Sequence, residues 1–435
     1  VTTTFTMKIL IPSYIFPNVK HIRTQIMNNI FSVLNNKSNS KIVWVIFQAD
    51  KFTSKKIENT SLVDIHDFND AVSLLKNIKP DCLFITSTPD NIQYSFSVAA
   101  KYLQIPIFSI YIYSESIIGI RDNRSIYESA KLMSRKFFSN KTSTDTMNQK
   151  QFLRRGRFYM YKNRFLINTL RKSKINIFKS LIFIIKDILV NLSGKSKNYN
   201  HLADYHLLPD ESWISHLIQI GIDKKNIFIT GNPYWENLYK KFNSISSKKY
   251  NKDSINLLIV TDSLLEHGYW SEKQRTKFIN NLITSLQKNP KIKFSIKIHP
   301  SSENKQSYIQ LFKKLNYQVQ IFQTELLTEL LDNFDLIISY GSSTAHTEII
   351  ANNIKMVLFD LKLNLKDAPL VKEGIMCNLV TMCESFEELL VKIHECLKNE
   401  ISISSDFTME CKKLFPADEK ASEQIADILI KKINK

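Results

Sequence analysis

Between Lys291 and Asp360 two short β-rich runs, separated by a helical pattern, each end abruptly in polar groups. The first run ends Lys297-Ile298-His299-Pro300. The second, Leu336-Ile337-Ile338-Ser339-Tyr340, runs into Gly341-Ser342-Ser343 and then directly into a helical pattern over 344–353. Short β-rich runs alternating with helical ones predict parallel strands covered by helices on both faces. In such open sheets ligands bind just beyond the carboxyl ends of the strands. A helix start that offers free N–H groups beside serine hydroxyls suits a phosphate. The stretch therefore predicts a nucleotide site.

The same alternation fills the rest of the chain. Strand patterns fall at 7–14, 41–48, 61–68, 81–86, 106–113, 203–208 and 226–230, and again at 255–261, 293–298, 318–322, 335–340 and 355–359. The chain has 435 residues, more than one hydrophobic core usually serves. The polar lysine- and serine-rich run 243–252 reads as a linker. Two Rossmann-like α/β domains follow, 7–242 and 253–435. Only 8 glycines are present, and neither a Walker A pattern nor G-x-G-x-x-G occurs, which excludes a glycine-rich phosphate loop. The five cysteines show no paired metal spacing and fit buried thiols in a reducing cytosol. The natural start is expected at Met7, and the apolar run at Ile9 reads as a strand rather than a secretion signal.

Net charge is +18, and it is concentrated. Residues 150–197 hold thirteen lysines and arginines, among them Arg154, Arg155, Arg157, Arg164, Arg171, Lys172 and Lys174, against one acid, Asp187. This basic helical insertion interrupts the first domain. Within it, 175–192 is apolar but contains Lys179, Lys186 and Asp187, which disfavours a membrane span and suits an interfacial helix on an anionic membrane surface. A core helix with a solvated face and a contact with an anionic acceptor glycan are the other readings. No nucleic-acid-binding module is visible.

Pro300 ends its strand and leaves the His299 imidazole at the sheet edge, in reach of a phosphate or ribose. Of Ser342, Ser343 and Thr344, one serves as helix N-cap, a role compatible with phosphate binding. Glu348, one turn in, either reaches a ribose hydroxyl or is a solvated helix residue. Thr261, Asp262 and Ser263 follow the first strand of the second half.

Lys297-Ile298-His299-Pro300 together with Gly341-Ser342-Ser343-Thr344 resembles the His-Pro and Ser/Thr motifs of bacterial sialyltransferases and polysialyltransferases, of the GT-B glycosyltransferase class. Capsule Kdo transferases and CDP-glycerol glycerophosphotransferases show related signatures. The run from Asp418 to Ala426 is similar to the closing helix of the glycerophosphotransferases. Thr230-Gly231-Asn232-Pro233 resembles a turn shared by GT-B proteins and UDP-GlcNAc 2-epimerases. The resemblance begins at Ala203 and implies an N-terminal acceptor domain and a C-terminal nucleotide-sugar domain facing across a cleft. By it, His299, Pro300, Ser342, Ser343, Thr344, Glu348, Thr261, Asp262, Ser263, Gly231 and Asn232 form the donor site. His299 would also steady or protonate the leaving phosphate, and no metal or other cofactor is expected. The acidic pair followed by glycine of those sialyltransferases is missing. Glu115, after the fifth strand, is the expected general base, with Asp122, His21 and His66 behind it. The function implied is transfer of a sugar from a nucleotide donor, CMP-sialic-acid-like or CMP-Kdo, to a surface-glycan or lipid-linked acceptor, by a cytoplasmic protein at the inner membrane face. A CDP-polyol phosphotransferase, a UDP-sugar 2-epimerase-like enzyme and an inactive membrane-bound organiser of glycan assembly are the alternatives.

Overall fold

The computed structural model describes residues 7–14, 22–47, 49, 60–86, 91–112, 156–176, 178, 182, 185, 202–236, 254–266, 269–300, 303–341, 343, 345–361, 365–413 and 420–433. The chain divides into two compact units: residues 1–233 with 420–435, and residues 234–419.

The first unit is built on a seven-stranded sheet. Its strands are β1 (Met7–Tyr14), β2 (Ser40–Ile46), β3 (Thr60–Asp64), β4 (Cys82–Thr86), β5 (Ile107–Ile110), β6 (Tyr205–Leu208) and β7 (Ile227–Ile229), in the spatial order β3-β2-β1-β4-β5-β6-β7. The second unit holds β8 (Ile255–Val260), β9 (Ile292–Lys297), β10 (Ile321–Phe322), β11 (Leu336–Tyr340), β12 (Met356–Phe359) and β13 (Val380–Cys383), ordered β10-β9-β8-β11-β12-β13. All strand pairs are parallel. Both units thus show the Rossmann order, which reverses at β1/β4 and at β8/β11.

Alternation along the strands explains why the sheets bury both faces. Leu257 and Ile259 of β8 join one core with Ile338 and Tyr340, while Leu258 and Val260 join another with Ile337, Ile349 and Ile350. A parallel sheet needs such two-sided cover. In the first unit Leu10, Val43, Val45, Leu83 and Ile85 pack under the helices Ala71–Ile78 and Asn91–Tyr102.

The structure departs from the sequence expectation in several places. The closing helix Ala421–Ile433 packs in the first unit, not the second. Lys37, at the end of the helix Ile22–Lys37, bridges Glu423 (3.2 Å) and Asp427 (2.7 Å), and the Lys432 ammonium lies 4.9 Å from the Tyr205 ring. The division falls between Pro233 and Tyr234 instead of at 243–252. The helix Pro369–Met376, the strand β13 and the helix Ser405–Lys413 were not predicted. The helix predicted near residues 121–139 lies outside the described residues.

The basic segment contributes the helix Gly156–Lys172. Phe165, Leu166 and Leu170 are buried, Ala71 donates its backbone N–H to Thr169 Oγ1 (3.0 Å), and Lys172 Nζ meets Asp70 (2.9 Å), itself the N-cap of Ala71–Ile78. This helix is therefore one wall of the first unit's core. Lys172 is held by that internal pair, whereas Arg164, Arg171 and Lys174 are exposed. Arg154 and Arg155 lie outside the described residues, as does the side chain of Arg157.

A buried polar cluster sits at the other side of this sheet. His206 of β6 lies beside Ser109 of β5, and its Nδ1 is 3.1 Å from the Tyr111 hydroxyl. Burial lowers the imidazole to about 4. Between pH 6.5 and 4 the unfolded chain binds a proton that the folded chain refuses, so stability falls as pH falls. Wild-type protein is expected to lose about 3 kcal/mol through this group from pH 7 to pH 4. Urea titrations followed by the fluorescence of Trp213, 5.1 Å from the Tyr111 ring, should show that loss reduced in His206→Gln.

Candidate nucleotide-sugar site

β8 lies between β9 and β11, so the three parallel strands deliver their carboxyl ends to one edge, where the strand order reverses. Three loops follow. After β8 come Thr261, Asp262 and Ser263, after β9 come His299 and Pro300, and after β11 come Gly341 and Ser343. The sequence placed these groups separately, and the fold makes them neighbours.

The β8 and β11 loops touch. Gly341 has φ +75°, and a Cβ placed on it would stand 2.5 Å from Asp262 Oδ2 and 2.9 Å from Asp262 Cβ. Only glycine meets both conditions. Ser343 is the helix cap: its Oγ accepts the Ala345 N–H (3.2 Å), and its carbonyl accepts the His346 N–H (3.2 Å). His346 in turn is hydrogen-bonded through Nε2 to Ser339 Oγ (3.0 Å), which pins the helix Ala345–Ala351 to β11.

The β9 loop is tied down by Glu303, which is 2% exposed. Its Oε2 accepts the His299 N–H at 2.6 Å and the Thr261 hydroxyl, and its Oε1 accepts the Tyr308 hydroxyl. Burial pushes this carboxyl up to about 7, against the pull of those three donors. His299 itself is half-buried and Pro300 exposed. Lys297, the last residue of β9, is buried, and its Nζ donates to the carbonyls of Ile298 (3.1 Å) and Gln323 (3.0 Å). Burial lowers it to about 8, so it stays cationic at neutral pH, and Glu325, Glu348 and Glu303 favour that charge.

Glu348 is no solvated helix residue. It is 7% exposed, and its Oε1 accepts the Tyr234 hydroxyl at 3.0 Å. Its Oε2 is buried and has no hydrogen-bond partner among the described residues. Burial raises the carboxyl to about 7, while Tyr234 and Lys297 pull it down. A buried acceptor with an open lone pair costs free energy unless something occupies it.

Other expected site residues belong to the first unit or lie outside the described residues. Gly231 and Asn232 belong to the first unit, where the Asn232 amide donates to the Ile112 carbonyl at 2.7 Å. That bond fastens the turn after β7 to the chain leaving β5. His66 packs against the rings of Phe47 (4.7 Å) and Tyr161 (4.8 Å). Glu115, Asp122, His21, Ser342 and Thr344 lie outside the described residues. Lys297, Glu303, Tyr308, His346 and Tyr234 were missed. None of them carries a local pattern: Lys297 follows Lys293 and Ser295 on an alternating strand. Among the described residues no three His, Cys, Asp or Glu side chains could together hold a metal ion.

Residues 197–430, more than half of the chain, match the family described as UDP-N-acetylglucosamine 2-epimerase. The chain belongs to that family. Two solved structures show the same fold. The UDP-GlcNAc 2-epimerase of Methanocaldococcus jannaschii aligns with a TM-score of 0.50 at 14% identity, over 98% of this chain and 99% of that one, and it has been solved in complex with UDP-GlcNAc and UDP. The UDP-GlcNAc 2-epimerase from Neisseria meningitidis, bound to UDP-GlcNAc, aligns with the same score and identity, over 98% of this chain and 100% of that one. No curated protein matches the sequence. Two parallel-sheet Rossmann-like domains of GT-B type are thus the architecture, and a nucleotide-sugar enzyme family is the context. The family is the one that the turn at Thr230–Pro233 resembled; none of the comparisons shows the sialyltransferase or Kdo-transferase resemblance.

Two outcomes test this epimerase-family site. Gly341→Ala forces a left-handed conformation and a clash with Asp262 together, and is expected to cost about 2 kcal/mol or more in chemical denaturation. The second concerns pH. The folded state keeps a proton on Glu348 up to about pH 7, while the unfolded chain releases it near the ordinary carboxylate value of 4.5. Stability from this group is therefore lost as pH rises. Glu348→Gln should gain on wild type by roughly 2 kcal/mol between pH 5 and pH 8, measured by urea titration at the two pH values.

Proposed function

We propose that the second unit binds the nucleotide of a UDP-sugar and that the chain inverts C2 of a UDP-linked N-acetylhexosamine. The observation that carries this reading is the family match, which spans the whole second sheet. The geometry supports it: His299 and Ser343 stand at the edge where a pyrophosphate would lie, and the open oxygen of Glu348 would accept a ribose hydroxyl. The two relatives solved with UDP-GlcNAc point to uridine rather than cytidine, so the CMP donor is replaced by a UDP-sugar in this proposal.

Elementary chemistry says why the phosphate grip matters. No carbonyl neighbours C2 of such a sugar, so its proton is not acidic. If the C1–O bond breaks as C2 loses its proton, a C1=C2 double bond forms and UDP leaves. Return of the proton to the opposite face, with UDP back on C1, completes the inversion. Groups that steady the departing diphosphate therefore also make C2 labile. Lys297 adds positive charge beneath the site. A carboxylate of the first unit is proposed as the base, with Glu115 its candidate, and no metal is required.

The test is binding followed by turnover. A ligand that binds only the folded state raises its melting temperature, by an amount equivalent to about 2.7 kcal/mol at a hundredfold excess over Kd. UDP should raise it and CMP should not. UDP-GlcNAc incubated in D2O should gain deuterium at C2 and give the C2 epimer, with chelator making no difference. Stabilisation by CMP alone, or UDP binding with no exchange at C2, would refute the epimerase reading. The second result, accompanied by sugar transfer to an acceptor, would restore the glycosyltransferase.

A further inference from the structure

The helix Gly156–Lys172 has two unlike faces. Phe165, Leu166, Thr169 and Leu170 are buried in the first unit. Met160, Arg164 and Arg171 lie four and seven residues apart, which places them on one side, and all three are exposed. Lys174, just beyond, is exposed as well. The sequence contains no acid between Asp145 and Asp187, so nothing in this stretch neutralises these charges.

Apolar groups follow in sequence, beyond the turn at Lys174. Phe178, Ile182 and Ile185 are helical, spaced four and three apart, and 71%, 63% and 56% exposed. Met160 is 70% exposed. Single exposed apolar residues are ordinary. Three at helical spacing, within fifteen residues of an acid-free run of exposed arginines in the sequence, call for a partner other than water.

We propose that this face docks on an anionic lipid bilayer, with Arg164, Arg171 and Lys174 at the headgroup phosphates and Phe178, Ile182 and Ile185 in the upper acyl layer. Charge complementarity decides among occupants. A second copy of the chain would bring the same positive face against itself in a two-fold dimer, which repels. A polyanion such as RNA or a sulfated glycan would match the arginines but leave the aliphatic groups in water. A bilayer surface satisfies both. Among the described residues no helix is long and apolar enough to cross a membrane. The inference does not depend on which nucleotide the second unit binds.

The full-length chain is tested by flotation with phosphatidylglycerol–phosphatidylcholine vesicles and with phosphatidylcholine vesicles. Wild type should float with the first and not the second, and added salt should weaken binding. Arg164→Glu with Arg171→Glu should lower partitioning roughly tenfold or more. Phe178→Ser with Ile182→Ser and Ile185→Ser should lower it comparably. Unchanged circular dichroism and melting temperature establish that the variants fold; if the glutamate pair does not, Arg164→Gln with Arg171→Gln replaces it. No flotation, equal flotation with both vesicles, or wild-type partitioning by either variant overturns the proposal. So does a match between heparin and vesicle affinity in which the serine variant changes neither, since the face would then be a general polyanion site.

Discussion

One buried carboxyl fixes the relation between the loops of the second unit. Adjacent parallel strands end without any covalent guide to how their loops meet. Glu303 supplies it, taking the Thr261 hydroxyl after β8, the His299 N–H after β9 and the Tyr308 hydroxyl from the helix Lys305–Lys314. The Arg275 guanidinium lies 4.9 Å from the Tyr308 ring centre, so the phenol stands between a cation and the carboxyl. A carboxylate taken out of water is tolerable only when its lone pairs are met. Here both oxygens are engaged, and burial still holds the group near neutrality.

Glu348 presents the opposite case. It too is buried, but one oxygen has a single donor, Tyr234, and the other has none among the described residues. A fully satisfied network rigidifies, and a half-satisfied one is a reservoir of unfavourable free energy. The two carboxyls therefore separate into roles. Glu303 shapes the loop through internal bonds, and Glu348 keeps an acceptor open. Function retained at the expense of stability is the general pattern at binding sites.

Legibility from sequence followed the range of the forces involved. The parallel strands were plain, because β8, β11 and β12 are short, mostly apolar runs and β9 alternates apolar with polar residues, each cut off by a polar loop. Rossmann order followed from their alternation with helices. Glu348 could not be told from a solvated residue, since its burial depends on Tyr234, 114 residues away in sequence. Glu303 sits in a polar loop with no local signature, and its three partners come from three separate elements. The domain border was misplaced because 243–252 has linker composition, whereas the closing helix is claimed by contacts with Lys37, Tyr205 and Phe228 that no local pattern announces. β13, four residues at a sheet edge, was missed as well.

The basic helix shows how two demands can share one element. Its inward residues must complete the core above Ala71–Ile78 and Asn91–Tyr102, and Thr169 and Lys172 do so with specific polar bonds. Those bonds fix the rotation of the helix about its axis, and that rotation alone decides which side chains face outward. Once Phe165 and Leu170 point in, Arg164 and Arg171 have nowhere else to point but out. The family match begins at residue 197, after this helix, so the sequence shared with the family does not account for the charge. Core packing accounts for the helix, and it leaves the arginines on its outer face unexplained by folding, which is the reason to look for what they meet outside.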